Sequence, residues 1–307
     1  VAQGLPASLP TALAADAAGH VYVGLQRGGL FVSEAGRFDR LPGAGGFEVQ
    51  EFVSSLAVGL DGTVWSGTLG GGLYGLRNPR GFQLTTANGL ADDTALATCV
   101  DAAGAVWLST RAGTLHRLHG ETLTRFGAAQ GLNGAPIIAL LPTPGGLLAG
   151  TQDGTVLRGT AGNFTVLQPG SWFRHRPVLA MFQDRENRFW AGSAGGGLTC
   201  SCNGATAHWT TENGLPSDLI AAVAEDANGN LWLATGAGIF RAERALLGKA
   251  IEHQSPLPCK LMSDARTGIE SATVVGGPRA LLAADGKLWF ATSEGILNVD
   301  ARRPEME

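Results

Sequence analysis

One stretch decides the fold: Asp226-Ala-Asn-Gly-Asn-Leu-Trp-Leu-Ala-Thr-Gly-Ala-Gly-Ile-Phe240. It reads as a polar turn, a short apolar strand that contains a tryptophan, a glycine turn and a second strand. The same pattern recurs along the chain. The residues at the position of the tryptophan are Tyr22, Trp65, Trp107, Leu148, Trp190, Trp232 and Trp289. Successive positions are 43, 42, 41, 42, 42 and 57 residues apart, and such a sustained period indicates a repeat architecture.

Each repeat contains four apolar segments separated by turns. In the sixth repeat, strands are expected at 219–225, 231–234 and 239–243, followed by a less regular fourth strand. Four short antiparallel strands per unit, repeated seven times, are typical of a β-propeller. We therefore predict an all-β protein in which residues 1–307 form a single seven-bladed β-propeller domain. The first strands are rich in small residues, as expected where strands converge on the axis, and the tryptophans are expected to fill the wedges between blades.

The last gap is longer than the others and indicates an insertion. Within it, residues 245–249 are expected to form a short helical turn, and an outer strand of the sixth blade is expected around 258–262. The last repeat ends near Asp300. The last blade is therefore predicted to have only three strands of its own.

The composition excludes several classes of protein. The 46 glycines do not follow a three-residue period, so the chain is not collagenous. The net charge of −4 and the absence of a basic stripe give no reason to expect nucleic-acid binding. No apolar run is long enough to cross a bilayer, so we expect no direct membrane insertion. The cysteines lack the paired spacing of a zinc site and are expected to be buried or unused thiols, with a bridge from Cys259 to Cys200 or Cys202 as the alternative.

The sixth repeat resembles a known family. Gly214-Leu-Pro-Ser-Asp-Leu219, followed by Ala224-Glu-Asp-Ala-Asn-Gly-Asn-Leu-Trp-Leu-Ala-Thr235, is similar to the two-component regulator propeller repeat. The segment Leu288-Trp-Phe-Ala-Thr-Ser-Glu-Gly-Ile296 resembles the closing blade of that family's sensor propellers. The lead-in to the blade recurs at matching places, which are Gly4-Leu5-Pro6, Gly89-Leu90, Gly131-Leu132, Gly214-Leu215-Pro216 and Gly268-Ile269. The resemblance covers nearly the whole chain.

The resemblance implies a function. Members of this family are periplasmic or otherwise extracytoplasmic sensor regions of bacterial two-component signalling proteins, and known relatives respond to oligosaccharides. It therefore implies a sensor domain that binds a small polar ligand, such as an oligosaccharide, and that has downstream signalling domains as partners.

Specificity must come from residues that break the repeat, because near-identical repeats only build the frame. The loops that lead into the first strands and those that join second to third strands share one face of a propeller, which we call the upper face. On it, the residues predicted to bind the ligand are Trp172, Arg174, His175, Arg176, Glu48, Arg111, Arg27 and Asp153. The segment 172–176 departs most: its aromatic residues suit sugar stacking, and its arginines suit anionic groups. A packing variation, with one aromatic residue at the blade interface, is the alternative.

Two other classes of function stay open. The sequence shows no catalytic motif with specific spacing, and we predict no enzyme activity, no metal and no cofactor. The enzyme alternative is a metal-dependent lyase similar to the streptogramin lyases, for which His175, Glu48 and Asp153 form the one set that can be put forward. The third alternative is a protein-interaction platform that forms homodimers and binds no small ligand.

Overall fold

The structure is a computed structural model that describes residues 4–34, 36–160, 162–202, 204–264 and 277–301. In these ranges the strands form six four-stranded sheets and one three-stranded sheet, and consecutive strands pair antiparallel. The first strands of neighbouring sheets lie side by side around the centre, and the seventh sheet packs against the first. The chain is thus a seven-bladed β-propeller, as the repeat predicts.

The first four blades each have four strands. Blade 1 contains β1 (Pro10–Ala15), β2 (Val21–Leu25), β3 (Leu30–Glu34) and β4 (Arg37–Arg40). Blade 2 contains β5 (Val53–Val58), β6 (Val64–Thr68), β7 (Gly72–Arg77) and β8 (Arg80–Leu84). Blade 3 contains β9 (Ala95–Val100), β10 (Val106–Thr110), β11 (Leu115–His119) and β12 (Thr122–Phe126). Blade 4 contains β13 (Ile137–Thr143), β14 (Gly146–Thr151), β15 (Val156–Thr160) and β16 (Asn163–Gln168).

The remaining blades differ in their outer edge. Blade 5 contains β17 (Val178–Gln183), β18 (Phe189–Ser193), β19 (Leu198–Cys202) and β20 (Ala205–Trp209). Blade 6 contains β21 (Ile220–Glu225), β22 (Leu231–Thr235), β23 (Gly238–Ala242) and β24 (Cys259–Ser263). Blade 7 contains β25 (Ala280–Leu282), β26 (Lys287–Thr292) and β27 (Gly295–Asp300). The helix α1 spans Arg244–Glu252, and short 3-10 helices span Thr86–Asn88, Ala128–Gln130, Gly170–Phe173 and Thr211–Asn213.

The sequence predictions for the last two blades are confirmed where the structure describes them. The helix in the insertion is a full α-helix rather than one turn, because Leu247 and Ala250 on one side pack into the apolar cluster between blades 5 and 6. The outer strand of blade 6 and the three-stranded seventh blade are found as predicted. The lead-in Gly268-Ile269 lies outside the described residues. The four described cysteines are free thiols, so the alternative bridge is not formed.

Small hydroxyl residues join the first strands of adjacent blades. The side chain of Thr11 donates to the main-chain oxygen of Val53 at 2.6 Å, and Ser54 donates to Ala95 O at 2.7 Å. All of these side chains are buried, where a hydroxyl without a partner would be costly. The small residues of the first strands thus let the strands converge and also connect them.

A tryptophan from each regular blade fills the wedge towards the next blade. Trp232 packs with Leu288 and Phe290 of blade 7, and its indole N–H donates to Asp226 at 2.9 Å. The same hydrogen bond, from the second-strand tryptophan to an aspartate six residues earlier, occurs in blades 3 and 5 at 2.9 and 2.8 Å. We call this pair the Trp–Asp clamp. It satisfies the one polar atom of an otherwise apolar wedge.

We predict that Asp226→Ala lowers the free energy of unfolding by about 2–4 kcal/mol. Asp226 is fully buried, and it accepts hydrogen bonds from Trp232, from the Asn228 and Asn230 N–H groups and from the Asn230 side chain. Urea unfolding measures the change. The control Asp285→Ala removes an exposed turn aspartate from blade 7 and should cost less than about 1 kcal/mol. Equal losses in the two variants would show that the clamp adds nothing beyond a turn.

Candidate functional site

The lead-in to a regular blade is a capped 3-10 turn on the upper face. Before blade 3, Thr85 caps the turn through its side chain, and the carboxylate of Asp93 accepts from the main-chain N–H of Thr86. Before blade 6, Thr210 and Asp218 make the same contacts. Asp93 therefore belongs to a structural turn that is repeated before blade 6.

The lead-in to blade 5 breaks this frame. Its 3-10 turn, Gly170–Phe173, starts after Pro169 and has no side-chain cap. The next two residues, Arg174 and His175, have φ angles of 51° and 56°, in the left-handed region. Left-handed backbone costs roughly 1–2 kcal/mol per residue with a side chain. Such strained residues cluster at functional sites. The segment whose sequence departs most from the repeat thus also has a strained backbone.

This strained turn packs against the turn that joins the second and third strands of blade 4. A Cβ atom on Gly170 would lie 2.5 Å from the main-chain oxygen of Asp153 and 3.1 Å from His175 Nδ1. Only glycine therefore fits between the two turns. As a result Asp153, His175 and Arg176 lie on adjoining loops of the upper face.

Asp153 is occupied by its own turn. Its carboxylate accepts hydrogen bonds from Thr151, from the Thr155 N–H at 3.0 Å and from the Asn133 side chain at 3.0 Å. Burial raises the pKa of this carboxyl group, but the hydrogen bonds outweigh burial and hold the pKa below its ordinary value. Asp153 is therefore a fixed negative charge that borders the loop and not a proton carrier.

The four predicted residues of the strained loop divide into two kinds. Trp172 is half-buried against the apolar cluster between blades 4 and 5, beside the fully buried Phe173. Arg174, His175 and Arg176 are exposed. Arg174 lies 3.3 Å from Glu212, a pair that is more than half exposed and contributes little to stability. Arg176 has no side-chain partner in the part of the chain that the structure describes, so the loop presents a patch of positive charge.

The other predicted residues lie in other blades. Glu48, before blade 2, pairs with Arg40 at 2.6 Å. In blade 1, the main-chain N–H of Arg27 donates a hydrogen bond to the hydroxyl oxygen of Ser8 at 3.1 Å. Arg111, in blade 3, lies 3.8 Å from Asp92. The structure thus brings Asp153 together with the 172–176 loop, and it places Glu48, Arg27 and Arg111 on separate blades of the same face. Sequence reasoning missed Glu212, which reaches Arg174 from the lead-in of the next blade.

The centre of the ring offers little room. A pocket there has a volume of about 70 Å³ and is lined by first strands, among them Leu140, Met181 and Ala222. Pockets for small organic ligands usually measure roughly 300–1,000 Å³. A ligand of this size would not fit into that pocket, so a ligand on the upper face would contact the loops. Among the described residues, no three His, Cys, Asp or Glu side chains are grouped closely enough to hold a metal ion.

His116 is the most perturbed titratable group between blades 2 and 3. It is fully buried on β11, and neither ring nitrogen has a hydrogen-bond partner in the described residues. Burial, reinforced by the nearby Arg125, lowers the pKa of His116 to about 4. The corresponding residue in blade 4 is the buried Leu157, so an apolar side chain can take this position.

We predict that His116 makes the fold sensitive to acid. The pKa of His116 is lower in the folded chain than its ordinary value of 6.5. The protein therefore keeps its full free energy of unfolding above about pH 6.5, and this free energy decreases as the pH falls to about 4. The loss amounts to about 3 kcal/mol. His116→Leu should remove this part of the pH dependence when unfolding is measured in urea from pH 4 to 7.5. The control His119→Gln changes an exposed histidine and should leave the profile unchanged. Identical profiles for wild type and His116→Leu would contradict the assignment.

We also predict that Arg174→Gly raises the free energy of unfolding by up to about 1 kcal/mol, because glycine adopts the left-handed region without strain. The matched change Arg176→Gly, at a residue without positive φ, should lower stability slightly. Thermal unfolding of the two variants makes the comparison. A destabilised Arg174→Gly variant would show that the arginine side chain, through Glu212, contributes more than its backbone costs.

No helix in the described ranges combines the length and the apolar character needed to cross a bilayer. Residues 214–237 match the two-component regulator propeller family, at the repeat where the sequence resemblance was strongest. No curated protein matches the chain.

The fold is shared with solved structures. The extracellular domain of a hybrid two-component system, BT3049 from B. thetaiotaomicron, matches with a TM-score of 0.73 at 19% identity, over 97% of this chain and 39% of that chain. A second such domain, BT4673, matches with a TM-score of 0.55 at 15% identity, over 98% and 52%. Virginiamycin B lyase from Staphylococcus aureus matches with a TM-score of 0.71 at 13% identity, over 97% and 96%. This chain therefore spans about two fifths of the first of these domains.

Proposed function

We propose that this chain, which carries a two-component regulator propeller repeat, is an extracytoplasmic sensor domain of a bacterial two-component-type signalling protein. Its ligand is a small polar molecule with anionic groups, such as an acidic oligosaccharide, and it binds at the 172–176 loop on the upper face. The likeness to extracellular domains of hybrid two-component systems supports the sensor role and the location. Downstream signalling domains then receive the signal in the full-length protein.

The strained lead-in to blade 5 carries this proposal. Arg174 and His175 are held in a backbone conformation that glycine would adopt more easily, yet both side chains point charge or polar atoms at solvent. Retaining them against this cost favours a role for the side chains in binding. Arginine suits the carboxylate and sulfate groups of acidic sugars, because its planar group donates two parallel hydrogen bonds.

The lyase alternative has weaker support in the geometry. His175 and Asp153 lie on adjoining loops, but Glu48 is engaged with Arg40 before blade 2. The Asp153 carboxylate is also committed to hydrogen bonds within its own turn. The similarity to virginiamycin B lyase extends over nearly the full length of both chains, and at 13% identity it concerns the fold.

We predict that the double variant Arg174→Ala/Arg176→Ala weakens ligand binding about tenfold or more, because it removes two cationic contacts from the loop. A thermal-shift screen with acidic and neutral oligosaccharides, with and without divalent metal, first identifies the ligand. Calorimetry then compares the affinities. A ligand at 100 times its dissociation constant should stabilise the wild type by about 2.7 kcal/mol.

The control is Arg37→Ala, which removes an exposed arginine from the outer part of blade 1 and should leave affinity unchanged. Both proteins should keep the unfolding temperature of the free wild type. Unchanged affinity in the double variant would exclude this loop from the site. Metal-dependent loss of the ligand would favour the lyase alternative, and dimerisation without any ligand response would favour the interaction platform.

A further inference from the structure

The ion pair between Arg174 and Glu212 joins the 172–176 loop to the lead-in of the next blade. A guanidinium N–H of Arg174 donates to Glu212 Oε1 at 3.3 Å. Arg174 follows the strained 3-10 turn before blade 5, and Glu212 lies in the capped 3-10 turn before blade 6. The contact therefore connects two repeats at the loop to which the proposed function assigns the ligand.

Both partners of this pair depart from the repeat. The 3-10 turns before blades 3, 4 and 6 are followed by a glycine, and Arg174 takes that position before blade 5. The middle residue of the turn is Ala87 before blade 3 and Ala129 before blade 4, but it is Glu212 before blade 6. Two separate changes in different blades thus bring opposite charges together.

The turn before blade 6 does not need the carboxylate of Glu212. Its cap is made by Thr210 and Asn213, because the Thr210 N–H donates to the Asn213 side chain at 2.6 Å. Glu212 takes part through its main chain, whose N–H donates to the Thr210 hydroxyl oxygen at 3.3 Å. Among the described residues, the Glu212 carboxylate has no hydrogen bond or ion pair other than the one with Arg174. The side chain is therefore available for a role at the loop.

The pair is too weak to be explained by stability. Its 3.3 Å separation is longer than the 2.7–2.9 Å that is usual between a cationic N–H and a carboxylate. The side chains of Arg174 and Glu212 are 57% and 76% exposed, and such pairs contribute little to the free energy of unfolding. The other N–H groups of Arg174 have no partner among the described residues, so they can donate to an incoming anion.

Two carboxylates border the arginines of the loop, and they differ in freedom. Asp153 lies on the adjoining turn, where hydrogen bonds from that turn and from the Asn133 side chain hold its carboxylate in place. Glu212 is mostly exposed and is held by a single contact. When an anion reaches Arg174, Asp153 stays in place and Glu212 can move into solvent. Glu212 is therefore the carboxylate that an anion can displace.

We propose that Glu212 is an internal competitor for the ligand at Arg174, an inference that rests on the sensor function proposed above. Glu212 occupies Arg174 in the free protein, and an anionic group of the ligand displaces it. Binding therefore breaks the link between the lead-ins of blades 5 and 6. Because the protein's own carboxylate must leave, the affinity of Arg174 for anions is lowered, and the site responds at a higher ligand concentration.

Sulfate tests this inference on the 307-residue chain at constant ionic strength. In ¹⁵N-labelled protein, the side-chain Nε–H resonance of Arg174, assigned with Arg174→Lys, should shift saturably as sulfate is added. Glu212→Gln should lower the sulfate concentration of half-saturation about threefold to fivefold, because the competitor is removed. Glu212→Ala introduces the residue that the turns before blades 3 and 4 contain, and it should have the same effect.

The control is Glu294→Gln, which removes an exposed carboxylate from the upper face of blade 7. It should leave half-saturation at Arg174 unchanged, since distant surface charges are screened. The same half-saturation in the wild type and in both Glu212 variants would overturn the inference. A wild-type Arg174 resonance without a saturable shift would also overturn it.

Trigalacturonate, an acidic oligosaccharide, separates this inference from the proposed function. Glu212→Gln should raise the affinity for it about threefold to fivefold, whereas the double variant Arg174→Ala/Arg176→Ala lowers the affinity. An affinity that falls in the double variant but does not change in Glu212→Gln would refute the competitor and keep the loop as the site. If sulfate gives the expected response at Arg174 and no acidic oligosaccharide binds, the proposed function fails and the competitor role of Glu212 stands.

Discussion

The wedge between neighbouring blades is the constraint on which the rest of this structure depends. Flat sheets arranged around an axis diverge outwards, so each interface needs a large apolar side chain to fill the gap. Tryptophan provides the volume, but it also brings one N–H group into an apolar region, where a donor without a partner costs free energy. The aspartate at the preceding turn solves this problem and closes its own turn, as Asp226 does with Trp232.

The irregular blades follow the same logic. In blade 4 the filler is Leu148, which has no N–H to satisfy, and the position of the aspartate is taken by Pro142. In blade 1 the filler is Tyr22, whose hydroxyl still reaches the equivalent Asp16 at 3.2 Å. The side chain that fills the wedge and the residue six positions before it thus change together within one chain. Blades 2 and 7 are the described exceptions.

Much of the fold could be predicted because it depends on spacing within one repeat. The period, the four strands, the helix within blade 6 and the three-stranded last blade all follow from local patterns and turn residues. The candidate site was harder to predict from the sequence, because its contacts join residues of different repeats. The pairing of Arg174 with Glu212 needs the lead-in of the next blade, and the left-handed backbone of Arg174 and His175 is not implied by their side chains.

The repeat architecture explains why such departures are tolerated. In a ring of similar units the stability is spread over many nearest-neighbour interfaces. One missing clamp, worth about 1–3 kcal/mol, therefore weakens a single interface and leaves the others intact. A lost frame residue is by itself weak evidence of function, as the buried and unpartnered Trp289 shows. The loss of such a residue becomes informative when a second change at the same place departs from the repeat as well. That holds on the upper face, where the turn before blade 5 lacks a side-chain cap and is followed by two left-handed residues.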